Sequence, residues 1–359
     1  MTEVRACRPD DIDAVTRLFV KAFRKGIEPP PAMSEYFHRL YFENPWFDPD
    51  LSSVVIERDA AIVGFLGVMP LPVQLDGRPV RLAVGGNLMV DPDDRDPMIA
   101  MRLLRRYFSG PQDAALTDTA NTAAARLWAA HGGSTARFHS MRWLIPLNPG
   151  SLGLAAVRRH PTARRLAWLG RPVALPVDAL ARRRMRAADG SLGVQHVGAQ
   201  RVREFIGAVG PRGYVHIDAD AAGWTWLVDM CRAKTQFGPL FLLAFVGHDG
   251  RDVGVAMYYP NRGSLGQVVL MLALDGHHGA VLDALCREAA REGTAALCGQ
   301  ADPRFMLALG ERASVYVQRN EFVTVHSQDG ALGSRIASGE VALNRLIGEW
   351  WTRMQGDTF

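Results

Sequence analysis

The sequence predicts an α/β protein of mixed sheets, built as two similar halves in tandem. Three observations point there. The chain has 359 residues, more than one ordinary core gathers. One order of strands and helices recurs at a spacing of roughly 185 residues. Matching hairpin signals, Asp76-Gly77 and His248-Asp249-Gly250, fall at the same point of each half.

In the first half, Val4–Arg8 reads as a strand. Asp10-Asp11 opens a helix whose apolar positions Ile12, Val15, Leu18 and Phe19 share a face. Ser34 caps a second helix through Tyr36, Phe37, Leu40 and Tyr41, which Asn44-Pro45 ends. Three strands follow, Ser53–Glu57, Ala61–Val73 and Val80–Val90. A helix over Pro97–Phe108, a buried strand Ala114–Thr117, a helix Asn121–Ala130 stopped by Gly132-Gly133 and a strand Ala136–Ile145 complete the half.

The second half repeats this order. Val194–Val197 is a strand, and Gln200–Val209 and Ala221–Arg232 are helices. Strands fall at Leu240–Val246, Val253–Tyr258 and Gln267–Leu274, then a helix at Ala280–Arg291 and a strand at Ala295–Cys298. A helix at Pro303–Leu309 precedes one long strand, Ser314–His326. The expected division is residues 1–147, a packed connector at 148–190, residues 191–330, and a C-terminal helical extension at 331–359. In that extension Ser338 caps an amphipathic helix over Glu340–Met354, docked by Trp350 and Trp351.

Composition narrows the class. Hydrophobic residues are 48% and charged residues 22%, ordinary for a globular chain. Net charge is +4, too modest to imply a nucleic-acid partner. The connector holds nine arginines between Arg158 and Arg186 against one acid, Asp178; a solvated helix face is the default reading, an anion-binding stripe the alternative. Cys7, Cys231, Cys286 and Cys298 form no metal-ligand spacing and fit a reducing compartment, so the expected location is cytoplasmic, with no membrane span and no metal. His277-His278 reads as a loop pair. Trp224, Trp226, Phe237 and Phe241 are core by default, with an acceptor pocket as the alternative.

Three stretches of the first half carry a family resemblance: "VRACRPDDIDAVTRLF", "AVGGNLMVDPDDRDPMIAMRLLRRYF" and "LTDTANTAAARLWAAHGG". They resemble the first strand and helix, the fourth strand with its phosphate loop and third helix, and the fifth strand and fourth helix of the GNAT superfamily of N-acetyltransferases. The second half has the element order but few motif residues, so two GNAT-like domains in tandem are expected, the second degenerate. The resemblance implies acetyl-CoA as cosubstrate, with direct attack of an amine acceptor on the thioester. It places Leu88, Met89 and Val90 of the fourth strand along the acyl group and pantetheine. Arg95, Met98, Ile99 and Ala100 would face the pyrophosphate, and Asn121 and Trp128 would meet the pantetheine arm.

Several residues depart from the family pattern. Met98 replaces a glycine, Pro97 offers no N–H, and Asp91, Asp93, Asp94 and Asp96 make the loop acidic. Asp96-Pro97 is also a good helix-capping pair, which leaves a structural cap as the alternative to a phosphate site. Trp128 stands where the family's acidic Tyr would protonate the leaving thiolate. No Glu lies on the fourth strand, so the general base is expected to be Asp118, facing the same cleft from the fifth strand, with helix capping as its alternative role; Glu57 and Glu43 are further candidates. Two other readings stay open: a catalytically degenerate GNAT-fold ligand-binding or scaffold protein, and a transferase of aminoacyl or other acyl groups.

Overall fold

The structure is a computed structural model, and it describes residues 2–24, 28–159, 174–180, 192–209, 213–312 and 314–356. Most of the arginine-rich connector, 160–173 and 181–191, lies outside the described residues.

The first half runs β1 (Thr2–Ala6), α1 (Ile12–Phe23), α2 (Pro31–Tyr41), β2 (Val54–Arg58), β3 (Ala61–Leu75), β4 (Arg78–Val90), α3 (Ile99–Phe108), β5 (Ala114–Ala120), α4 (Thr122–Ala130), β6 (Ser134–Thr135) and β7 (Met141–Pro146). The connector contributes α5 (Pro149–Arg159) and α6 (174–180). The second half runs β8 (Gly193–His196), α7 (Ala199–Val209), β9 (His216–Ile217), α8 (Ala221–Arg232), β10 (Phe241–Val246), β11 (Asp252–Tyr259), β12 (Leu265–Ala273), α9 (His278–Arg291), β13 (Ala296–Gln300), α10 (Met306–Gly310), β14 (Val315–Gln318), β15 (Phe322–His326) and α11 (Gly330–Ser338).

Two mixed sheets result. The first has the order β1-β2-β3-β4-β5-β15-β6, with β9 added beside β3. The second, read from its far edge, is β8-β10-β11-β12-β13-β7-β14. The two orders correspond position by position. In each, four strands pair antiparallel, and the fourth then pairs parallel with the fifth. The β3–β4 hairpin turns on Asp76 at φ 54° and Gly77 at φ 75°, the two left-handed residues a tight hairpin needs.

Besides the short β9, each sheet takes one strand from the other half. β7 leaves the first half to pair with β13, and β15 leaves the second half to pair with β5. The expected single strand Ser314–His326 is therefore two strands, broken at residues 319–321, because its pieces belong to different sheets. Likewise β7 does not extend the first half's own sheet, as its place in the chain suggested. The exchange clasps the halves. One continuous apolar core joins Phe19, Phe65 and Leu71 of the first half to Leu227, Met257 and Leu270 of the second.

The tail also differs from expectation. The helix ends at Ser338, stopped by Gly339 in the left-handed region at φ 83°. Glu340–Met354 is not helical beyond a single short turn at Arg345–Ile347. Its backbone donors find partners elsewhere: Glu349 and Trp350 N–H donate to Asp118, and Arg353 N–H donates to the Tyr36 hydroxyl. Those bonds replace helical ones, so the amphipathic pattern is met by burial between the sheets instead. Trp350 and Trp351 are docked as expected, and both are buried. Trp226 packs edge-on against Trp351, and Phe237 stacks on Trp350, so these aromatics belong to the core. Among the described residues no helix is long and apolar enough to cross a membrane.

Candidate active site

The site begins with a parting of two strands. β4 and β5 are paired only from Leu82–Ala114 to Val84–Leu116. Beyond Val84 the backbone of β4 loses its neighbour on that side. Opposite Leu66 of β3 the strand takes two residues, Asn87 and Leu88, between the pairs Gly67–Gly86 and Phe65–Met89. Asn87 sits at φ 51°. This is a β-bulge, which re-aims backbone and side chains. The Asn87 amide is held in place by donating to the buried Tyr41 hydroxyl at 2.9 Å.

The parting opens onto a cavity of about 350 Å³. Gly85, Gly86, Asn87 and Leu88 form one wall and Thr117, Thr119, Ala120 and Asn121 the facing one. Trp128 lies at its floor, and Phe19, Phe23 and Arg24 of the α1 region stand at the rim. Trp128 is buried edge-on against Tyr107 and Phe108, so its indole serves as an apolar floor. Asn121 is the N-cap of α4, its side-chain oxygen accepting from Ala124 N–H at 2.9 Å.

The C-terminal segment completes this wall with a carboxylate that sequence reasoning missed. Glu349 is buried, and its carboxylate accepts from the Thr117 and Thr119 hydroxyls. Burial pushes the carboxyl up to about 7, with the nearby Asp118 charge adding to the shift and the Thr hydroxyls opposing it. The signal for it was in β4 itself. Glycines inside a strand often mark close approach by another group. A side chain on Gly86 would overlap the Glu349 carboxylate, and one on Gly85 would crowd the Tyr107 hydroxyl.

Asp118 is not in this cavity, contrary to expectation. Neighbouring side chains on a strand point to opposite faces, so Thr117 and Thr119 line the cavity while Asp118 turns away. It lines a small polar hollow with His139, Arg142, Gln300, Glu321 and Arg345. One Asp118 oxygen accepts from Glu349 N–H at 2.8 Å and Trp350 N–H at 3.1 Å. Burial raises its carboxyl to about 6 although Arg345 opposes the shift. Arg345 is itself buried over the Trp350 ring, and desolvation lowers it to about 9. Glu57 is engaged by Arg5, and Glu43 lies beside His38; neither lines the cavity.

The acidic loop after β4 is neutralised internally. Lys21 pairs with Asp91 and Asp93, and Arg58 pairs with Asp94 and Asp96. Arg102 reaches Asp96 at 3.2 Å, and Asp96 accepts the Met98 N–H at 2.9 Å. Helix α3 starts at Ile99, two residues later than Pro97. Ile99 is fully buried against Gly64, Met98 and Arg95 point to solvent, and Ala100 is half-buried. Met89 is buried in the core and Val90 half-buried, while Leu88 reaches the cavity. Of the residues carried over by resemblance, the structure gathers Leu88, Asn121 and Trp128 at the cavity and leaves the others outside its wall.

The family model for the acetyltransferase (GNAT) domain matches residues 3–124. The matched stretch, which is similar to that domain, contains β1 to β5, the bulged strand and the loop. No curated protein sequence matches the chain. Solved structures share the fold across both halves. A GCN5-related N-acetyltransferase from Anabaena variabilis superposes with a TM-score of 0.60 at 14% identity, over 91% of this chain and 73% of that one. A probable N-acyltransferase from Enterococcus faecalis gives 0.59 at 10%, over 91% and 73%. The N-myristoyltransferase of Saccharomyces cerevisiae, solved with myristoyl-CoA, gives 0.53 at 12%, over 90% and 77%. The likeness in fold thus extends through the second half, where the family model does not reach.

Proposed function

We propose that the protein is an acyl-CoA-dependent N-acyltransferase that moves an acetyl group from acetyl-CoA to an amine. The observation that carries this reading is the freed edge of β4 opening onto the 350 Å³ cavity. Peptide groups of Gly86–Leu88 on the side that β5 no longer pairs can receive the amides of a pantetheine arm as a further strand would. The absence of side chains on Gly85 and Gly86 admits the Tyr107 hydroxyl and the Glu349 carboxylate close to the strand, so that the carboxylate stands at the cavity wall. The apolar floor of Trp128 and Leu66 suits a thioester and excludes water, and the rim at Phe19, Phe23 and Arg24 faces the acceptor.

Donor binding is assigned to the first half, residues 1–147. The second half, 191–330, supplies the β15 strand that supports β5, and the 331–359 extension closes the cleft. In the second sheet, residues 345–347 lie along β12, and Val268–Ala273 are buried, so the corresponding strand edge is already packed.

The internal ion pairs of the loop favour a second reading, a ligand-binding protein without turnover, because Asp96 occupies a donor that a pyrophosphate would take. Calorimetry with acetyl-CoA, paired with a thiol-release assay on a peptide with a free N-terminus and an aliphatic polyamine, separates the two. Binding with CoA release supports transfer. Binding without release, or no binding of acetyl-CoA, removes transfer and supports the second reading.

A further inference from the structure

We propose that Glu349, carried into the cleft by the C-terminal segment, is the general base that takes the proton from the attacking amine. This assignment rests on the N-acyltransferase reading and deepens it. Three features of the fold converge on this residue.

The first is position. β4 presents only hydrogens at Gly85 and Gly86, yet the Glu349 carboxylate fills the space that a side chain on Gly86 would need. A strand without an acid thus receives one from the far end of the chain, at the cavity wall where the thioester is placed.

The second is construction. The turn that carries Glu349 is fixed by three side chains, Asp118, Lys234 and Tyr36. Asp118 takes the N–H groups of residues 349 and 350. Gly348 allows Asp118 to approach, since a side chain there would collide with that carboxylate. Lys234, fully buried on the second half, donates to the carbonyls of Thr352 and Gln355 at 2.9 and 2.8 Å and lies over the Trp350 ring. Tyr36 receives Arg353 N–H at 3.0 Å. A carboxylate held this firmly loses little orientational freedom when it acts.

The third is electrostatics. The groups facing Glu349 are Thr117, Thr119 and Asp118 on β5, Tyr41 on α2, Tyr107 on α3 and Gln355 on its own segment. Its hydrogen bonds come from neutral groups, so the carboxylate is not quenched by a direct ion pair. A carboxyl tuned to about 7 is matched to a base working near neutral pH.

The step balances without any further reactant. The amine lone pair forms the C–N bond to the thioester carbonyl carbon. Glu349 carboxylate removes the proton from that nitrogen and becomes a carboxylic acid. The carbonyl reforms as the C–S bond breaks, and the CoA thiolate leaves with the bonding pair. The proton on Glu349 passes to the thiolate, which gives free CoA thiol and restores the carboxylate. Glu349 is thereby the acid of the second step, in a site where Trp128 offers no acidic hydroxyl.

The test compares parent, Glu349→Gln and Thr119→Val by thiol release from acetyl-CoA across pH, with acetyl-CoA affinity by calorimetry and thermal unfolding as controls. The expected result for Glu349→Gln is a loss of about 10²–10⁴-fold in kcat/KM and of the acid limb near pH 7, with acetyl-CoA affinity kept within about threefold. Thr119→Val removes a hydrogen bond to the ionised carboxylate, so its acid limb should move to higher pH. Should Glu349→Gln fail to fold, the Thr119 variant decides alone. A Glu349→Gln enzyme within about threefold of an active parent with the same limb, or an unmoved limb in Thr119→Val, overturns the base assignment and leaves the transferase reading intact. A parent that neither binds acetyl-CoA nor releases thiol overturns both.

Discussion

Gly86 and Glu349 are 263 positions apart in sequence, yet a β-carbon on the glycine would overlap the glutamate's carboxylate. That relationship joins the centre of the first sheet to the tail of the chain. Gly86→Ala should therefore displace the carboxylate or the strand. The expected cost is about 1–3 kcal/mol of stability, as for other overpacked cores, with at least a tenfold loss of acyl transfer. Thermal unfolding and thiol release measure the two. Unchanged activity in a normally folded variant would separate Glu349 from the chemistry.

The pH dependence of stability follows from the raised Glu349 carboxyl. Its folded value, about 7, lies above its ordinary 4.5, so the folded protein binds this proton more tightly than the unfolded chain. The stabilisation is full below about pH 4.5 and is lost as pH rises through 7. Glutamine carries no charge at any pH. Glu349→Gln should match the parent in acid and exceed it by roughly 2–3 kcal/mol at most in mildly alkaline buffer. Denaturant unfolding at several pH values reads this directly.

Asp118 holds the backbone of the turn that carries Glu349, so its variants should behave as positioning variants. Asp118→Asn keeps an oxygen that accepts the two N–H groups and should retain most activity. Asp118→Ala leaves two buried donors without their acceptor, at about 1–3 kcal/mol, and should lower kcat while the acid limb set by Glu349 persists and moves to lower pH, because the Asp118 charge that helps to raise it is gone. A pH–rate profile that loses its acid limb in Asp118→Ala would assign the base to Asp118 instead.

The loop after β4 supplies a fourth test. Asp96 is shared by Arg58, Arg102 and the Met98 N–H. Asp96→Asn keeps an oxygen that accepts the Met98 N–H while releasing two guanidinium groups towards an incoming phosphate. Acetyl-CoA affinity should rise, more at low salt than at high salt, with thermal stability near the parent's. Met98→Gly should add to the effect by opening the backbone. If affinity by calorimetry stays flat in both variants, the pyrophosphate is held elsewhere.

Lys234 links the second half to the tail. Lys234→Met keeps the apolar stem but leaves the Thr352 and Gln355 carbonyls without this donor. The expected loss is about 1–3 kcal/mol, with earlier hydrogen exchange at residues 349–355 than in the parent. Exchange that accelerates elsewhere first would place the weak point outside this clasp.

The fold class, the element order and the repeat were legible in the sequence, because periodicity, caps and turns are local. Leu18 and Phe19 fell on the buried face of α1, and Asp76-Gly77 made its turn. Leu88, Asn121 and Trp128, grouped by their motif context, line one cavity. Asp118 lines another, because it lies on the opposite strand face from Thr117 and Thr119, and a single residue of register reverses the face.

What the sequence by itself determined is the set of local structures and which half carries the resemblance to the GNAT domain. Only the tertiary structure decided which strand enters which sheet, since β7 and β15 satisfy the same alternating pattern in either one. It also decided the fate of the tail. Glu340–Met354 has helical periodicity, but hydrogen bonds to Asp118, Tyr36 and Lys234 outcompete the helix and bury Glu349 in the cleft. Those partners lie more than one hundred residues away, and no local propensity records them.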